Sequence, residues 1–175
     1  MFRKELDEQF EQEIMRHLDA AYNLSLWLLR DPHDAEDATQ SALYKAFRAF
    51  GRMRGNDAKP WLLAIVRNEC MDVLQARSVR NRLEYPTEEI LDFAETTELD
   101  PEESAMQTLD AQTVVAAINQ LPPEFREVIM LREIEELSYR EIAHVIGKPI
   151  GTVMSRLARA RSRLQVMLTA GGECL

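Results

Sequence analysis

Apolar side chains recur at helical spacing along most of the chain, and where the spacing fails, prolines, glycines or acidic residues take over. Leu6, Phe10, Ile14 and Leu18 repeat every fourth residue and Ala21, Leu24 and Leu28 continue the run, which predicts one long helix over residues 4–29. Arg30-Asp31-Pro32 ends it. Asp34 is the expected cap of a second helix from Ala35 to Phe50, with Ala38, Ala42, Leu43, Ala46, Phe47 and Phe50 turned inward. Glu36 and Asp37 lie in its first turn, where carboxylates suit the positive end of the helix dipole. Gly51 to Lys59 (GRMRGNDAK) reads as a loop, and Pro60 as the first residue of a third helix striped by Leu62, Ile65, Val66, Cys70 and Val73.

Tyr85 to Glu103 holds eight acids, two prolines and no sustained apolar period, so it is expected to be an extended linker that cannot offset its own ordering entropy. Asp100-Pro101 then opens a helix to about Asn119 with Ala105, Leu109, Val115, Ala116 and Ile118 apolar. Leu121-Pro122-Pro123 makes a corner, and residues 124–135 form another helix with Phe125, Val128, Ile129 and Leu131 inward. The strongest local signal follows. Ser138 and Glu141 have the spacing of a capping box, Ile142, Ala143 and Ile146 give the helix behind them an apolar face, and Gly147-Lys148-Pro149 stops it. A last helix is predicted from Gly151 or Thr152. Val153, Leu157, Ala160 and Leu164 form its one narrow buried stripe, and small or polar residues flanked by arginines form the opposite face. Two helices joined by a tight turn, the second basic outside, are a helix-turn-helix pattern suited to the major groove.

The pattern predicts an all-α chain of two small helical domains, 1–82 and 101–170, joined by an acidic linker over 83–100. Six glycines and seven prolines in 175 residues leave little room for a turn-rich β architecture. Charge is distributed unevenly enough to change the picture. The net charge is −9, yet residues 45–82 carry nine bases against three acids, and Lys148 to Arg163 carry five bases and no acid, while no base occurs from Leu83 through Phe125. Two basic modules therefore flank an acidic connector. The loop before the third helix and its first turns add arginines, an amide and the Trp61 indole, the mixture expected where single-stranded bases stack and their phosphates are neutralised.

Cys70 and Cys174 are too few for a disulfide framework or a zinc site, and Cys70 is expected to be a buried thiol. No P-loop, dinucleotide-binding glycine motif or metalloprotease signature is present, and His17, His33 and His144 are isolated, so neither an enzyme nor a cofactor is expected. The charged start MFRKELDEQFEQE is no secretory signal and no run of about 18 apolar residues occurs, which predicts a cytoplasmic protein not inserted in a membrane.

With these pieces placed, the chain resembles a bacterial extracytoplasmic function (ECF) sigma factor of the sigma-70 family. Four stretches carry the resemblance: DAEDATQSALYKAFRAF at 34–50, PWLLAIVRN at 60–68, LPPEFREVIMLREIEELSYREIA at 121–143 and GTVMSRLARAR at 151–161. The resemblance implies a region 2 and a region 4 domain, and a role as the promoter-recognition subunit of RNA polymerase. It makes Asp34, Asp37 and Gln40 candidate contacts to the polymerase clamp, with Ser41 departing from the usual glutamate. It maps recognition and melting of the −10 element onto Arg54, Asn56, Lys59, Trp61, Arg67 and Asn68. For the −35 element it implies the last helix, packed on the polymerase flap, with Ser155, Ala158 and Arg159 toward bases and Lys148, Arg156, Arg161 and Arg163 toward phosphates. Thr152 and Met154 belong to the same face, although arginine is common where Met154 stands. The implied partners are core polymerase, promoter DNA and an anti-sigma protein. The alternative is a stand-alone helix-turn-helix regulator that binds duplex operators without polymerase.

Overall fold

The computed structural model describes residues 2–53, 57–84 and 107–172, and all regular structure among them is helical. Arg54, Asn56, Cys174, the predicted helix start at Asp100-Pro101 and all but the first two residues of the predicted linker lie outside the described residues. Four helices form the N-terminal unit: α1 (Phe2–Ile14), α2 (Leu18–Leu29), α3 (Pro32–Ala49) and α4 (Ala58–Glu84). Four more form the C-terminal unit: α5 (Gln107–Gln120), α6 (Pro123–Ile129), α7 (Tyr139–Ile146) and α8 (Ile150–Gly172).

The long first helix is corrected to two. A 3₁₀ turn, Met15–His17, interrupts it, and none of its side chains is buried, so no packing holds the α ladder there. Phe10, Ile14, Ala21, Leu24 and Leu28 are buried, while Leu6, the first member of the four-residue repeat, is 37% exposed. The cap of α3 is also corrected: Asp31 Oδ1 accepts the Asp34 amide at 2.9 Å and Pro32 follows it at the first helical position. Proline there is preorganised and lacks only an amide that would have no intrahelical partner, so Asp31-Pro32 outcompetes Asp34 for the cap.

α3 is seated by alanines. Ala35, Ala38, Ala42 and Ala46 are all at or below 3% exposure, so α2 and α4 approach its backbone closely. Phe47, expected inward, is 39% exposed, although its ring still meets Phe10 edge-on at 5.2 Å. Thr39 and Ser25 hydroxyls meet at 3.0 Å between α3 and α2, and each also lies near a carbonyl one turn back, which keeps two buried hydroxyls satisfied. Cys70 is fully buried as expected, and burial pushes its thiol up to about 11.

α4 starts at Ala58, so Pro60 falls inside its first turn and not at its first position. α5 is likewise less apolar toward its neighbours than expected. Val115 and Ala116 are exposed, and the helix engages through Ala117 and Ile118 in its last turn. After the Pro122-Pro123 corner, α6 is covered on every side: Phe125 through Leu131 are all buried, Arg126 and Glu127 included. Its continuation, Met130–Ile134, widens to a π turn, and Glu136 takes a left-handed conformation (φ 57°) while the Leu137 amide donates to the Leu131 carbonyl at 3.0 Å. That exchange closes the helix end much as a glycine cap would.

The two units pack against each other, and their buried apolar side chains form one contiguous core. α4 lies along α7, and α2 lies along α6.

Candidate nucleic-acid interface

The helix-turn-helix forms as its local chemistry requires. Ser138 Oγ accepts the Glu141 amide at 3.3 Å, and the Glu141 carboxylate accepts the Ser138 amide at 2.6 Å, so both capping-box bonds are present. Gly147 ends α7 in the left-handed conformation at φ 63°, where any side chain would be strained. The Lys148 amide returns to the Ala143 carbonyl at 3.1 Å. α8 opens at Ile150, slightly earlier than predicted, because the amides of Thr152 and Val153 already bond back to Pro149.

The predicted stripe of α8 is the buried one: Val153, Leu157 and Ala160 are at or below 1% exposure, and Leu164 is partly buried against the same core. It leaves Met154, Ser155, Ala158, Arg159, Arg161 and Arg163 exposed, with Lys148 exposed in the turn and Thr152 and Arg156 half-buried. The cations of this face are not equivalent. Arg161 donates to Glu133 at 2.7 Å, the Arg163 guanidinium sits 4.9 Å over the Phe125 ring, and Arg156 lies 3.9 Å from Glu127. Among the described residues, Lys148 and Arg159 make no ion pair.

The second predicted cluster lies on α4 and faces a different neighbourhood. Lys59 Nζ is 2.9 Å from both the carboxylate and the carbonyl of Glu135, and Arg67 Nε donates to Glu127 at 2.5 Å. Trp61 is half-buried with its ring 6.5 Å from Phe50, and Asn68 is exposed. The third cluster, on α3, is split. Asp34 is ion-paired with Arg77 of α4, whereas Asp37 and Gln40 are exposed one turn apart, with Asp37 3.4 Å from His33.

Several residues of this surface escape sequence reasoning. Between α3 and α4 an open groove is lined by Ser41, Tyr44, Lys45, Arg48, Arg52 and Glu69. Tyr44 is 63% exposed with Arg48 over its ring, so it shows the aromatic-beside-cation chemistry sought at Trp61. The i,i+4 spacing of Tyr44 and Arg48 was the available signal. Glu127, Glu135 and Arg126 were hidden differently, as charged residues set into an otherwise apolar register. Arg126 donates across the unit boundary to the Trp27 carbonyl at 3.3 Å and to Leu121 at 3.4 Å, and burial lowers its pKa to about 10. Asp57 hydrogen-bonds Glu141 of the capping box, which raises the Asp57 pKa.

Among the described residues no group of three or more metal-ligating side chains forms, and no helix is long and apolar enough to cross a membrane.

Comparison with known proteins converges on one family. Residues 14–80 match the model of sigma-70 region 2, and residues 111–164 match that of sigma-70, region 4. The chain is 33% identical to the RNA polymerase sigma-H factor of Pseudomonas aeruginosa, with 96% of each covered. It is also 33% identical to the ECF RNA polymerase sigma factor SigE of Mycolicibacterium smegmatis, covering 89% of this chain but only 60% of that protein. Identity to the ECF sigma-E factor of Escherichia coli is 34%, over 75% of this chain and 72% of that one. Among solved structures, the sigma factor RpoE in complex with the anti-sigma factor NepR from Bartonella quintana is similar at a TM-score of 0.79 and 31% identity, covering 93% of this chain and 98% of that one. CnrH in complex with the cytosolic domain of CnrY shares the fold at a TM-score of 0.66 and 23% identity.

Proposed function

This chain belongs to the ECF sigma factors of the sigma-70 family, and from that premise we propose that it directs promoter-specific initiation by RNA polymerase, reading a −35 element with α8 and opening a −10 element with the loop and first turns of α4. The observation that carries this reading is α8: a helix locked by one apolar stripe, with an outer face of small side chains and flanking arginines, following a fully capped α7. Small residues let the backbone come close to base edges, and the cations around them reach phosphates. Ser155, Ala158 and Arg159 face bases in this assignment, with Thr152 and Met154 beside them, and Lys148, Arg156, Arg161 and Arg163 serve phosphates.

On the N-terminal unit, 1–82, Arg54, Asn56, Lys59, Trp61, Arg67 and Asn68 take the −10 element. Asp37 and Gln40 dock on the polymerase clamp, and Asp34 supports them through its ion pair to Arg77. The C-terminal unit, 101–170, packs on the polymerase flap, and the acidic segment 83–100 links the two. No bond is made or broken in this work. Strand opening costs unstacking, a few kcal/mol per flipped base by analogy with base-flipping proteins, and the factor offsets it by holding extruded bases better than paired ones. An anti-sigma protein, the partner that RpoE of B. quintana has in its complex, is proposed to hold the free factor inactive.

A gel shift with promoter DNA, with and without core polymerase, tests the proposal. Binding that requires core enzyme is the expected result. Tight operator binding by the chain alone refutes it.

A further inference from the structure

The first turns of α8 present an apolar strip to solvent. Val153, Leu157 and Ala160 fix the helix against the core at or below 1% exposure, so its rotation is set. Held that way, Ile150 is 40% and Met154 52% exposed, and Ala158, exposed as well, stands one turn further on. Residues four apart on a helix share one ridge, so the three side chains form a continuous strip. Beside it Gly151 is open, with nothing within 4 Å of where a Cβ would stand. The Ser155 hydroxyl donates to the Thr152 carbonyl at 3.0 Å, so its hydrogen is already committed. The surroundings are cationic: five bases and no acid occur from Lys148 to Arg163. That charge fits a polyanion seated over the strip and repels a basic protein face.

We propose that Met154, with Ile150 one turn before it, selects thymine in the −35 element by contact with the 5-methyl group. The inference rests on the assignment of α8 to the −35 duplex and names the base that the helix selects. In the major groove guanine shows two acceptors, adenine an acceptor and a donor, and cytosine a donor, while thymine alone adds a methyl group. Ile150, Met154 and Ala158 have no N–H or O–H to offer, a thioether being at most a weak acceptor. A guanine facing the strip would lose water from both acceptors and gain no donor in exchange, which costs binding. A thymine methyl loses only its own unfavourable hydration, and the unbranched methionine chain adapts its shape to it. Recognition helices meet base edges with their N-terminal residues, and α8 begins at Ile150. Four residues advance a helix by about 6 Å against about 3.4 Å per base step, so Ile150 and Met154 meet different base pairs.

Replacement of thymine by deoxyuridine tests this, because it keeps base pairing and the O4 acceptor and removes only the methyl. Holoenzyme reconstituted with the full chain is used to select promoter duplexes from a pool randomised over the −35 element, and deoxyuridine then replaces each selected thymine in turn. At the thymine facing Met154 the exchange should weaken competitive binding roughly fourfold, the worth of one buried methyl. Met154→Ala should bind the thymine and uracil duplexes alike at that position, and Ile150→Ala should do so at a second one. Both side chains are exposed, so neither variant disturbs the core. Uracil tolerated at every position by the parent, while base-pair changes still discriminate, overturns the methyl contact and leaves α8 on the −35 element. A preference for thymine over uracil that survives both variants gives the contact to another side chain and overturns the proposal as well. If the selection enriches no −35 sequence, the assignment of α8 itself falls, and the proposal with it.

Discussion

Replacing Arg159 by alanine tests the proposed division of α8 between base reading and phosphate holding. Arg159 is exposed and unpaired among the described residues, so its side chain gives up no intramolecular bond on meeting DNA. Arg161, two residues on, must first release Glu133, and its side chain is 49% exposed, so that surface pair is worth no more than about 1 kcal/mol. A base-reading arginine contributes about 1–3 kcal/mol of discrimination, or roughly 5- to 150-fold in relative affinity. A phosphate contact instead lowers binding to all sequences alike and carries about 0.9 of the slope of log affinity against log salt. Holoenzyme reconstituted with Arg159→Ala should therefore lose preference among −35 variants while its salt slope changes little. Arg161→Ala should flatten the slope by close to one and keep the ranking of variants. The assay is competitive promoter binding by holoenzyme over a salt series. An equal loss on every −35 variant for Arg159→Ala would refute a base-reading role.

Other outcomes follow from the same structure. Leu157→Ala empties a core site that is 1% exposed on the inner side of α8 and should cost about 2–5 kcal/mol in urea unfolding; a loss under about 1 kcal/mol contradicts the packing. Trp61→Ala should leave closed-complex formation near normal and impair strand opening, which permanganate footprinting reads; normal reactivity of the −10 thymines rules the indole out. The hydrogen bond to Glu141 raises the Asp57 pKa, so this contact favours the packing of the two units at acidic pH and is lost as pH rises through the raised value. Glu141 runs opposite, lowered chiefly by its bond to Ser138 and less by Asp57, so Asp57→Asn removes the Asp57 titration and leaves the Ser138 bond in place. That variant should stay compact by scattering across the range where the parent loosens; identical pH profiles for the two chains would discount the contact.

What was legible in the residues follows the range of the interactions. Ser138, Glu141 and Gly147 act within one turn, and Val153, Leu157 and Ala160 repeat at a period any helix must obey, so α7, its stop and the buried side of α8 could be read directly. The Asp31 cap was equally local, but three acids crowd residues 31–36, and only Pro32 tells them apart. The packing of the units was not legible. Glu127 meets Arg67 across 60 positions and Lys59 meets Glu135 across 76. Neither pairing has a periodic trace, because a carboxylate in a string of acids carries no mark of which cation it will face. Charge counts left unseen that Glu135 and Glu127 of the C-terminal unit pair with Lys59 and Arg67 of the N-terminal one.

The alanine seam under α3 has a mechanical consequence. Buried alanine methyls and the Thr39–Ser25 hydroxyl pair bring its backbone close to those of α2 and α4, and close-packed interiors transmit displacement and do not cushion it. Force applied at the outward residues Asp37 and Gln40 travels straight to α4, the helix that bears Lys59, Trp61 and Arg67. The surface proposed for the transcription machinery and the one proposed for the unwound strand behave as opposite sides of a single stiff plate.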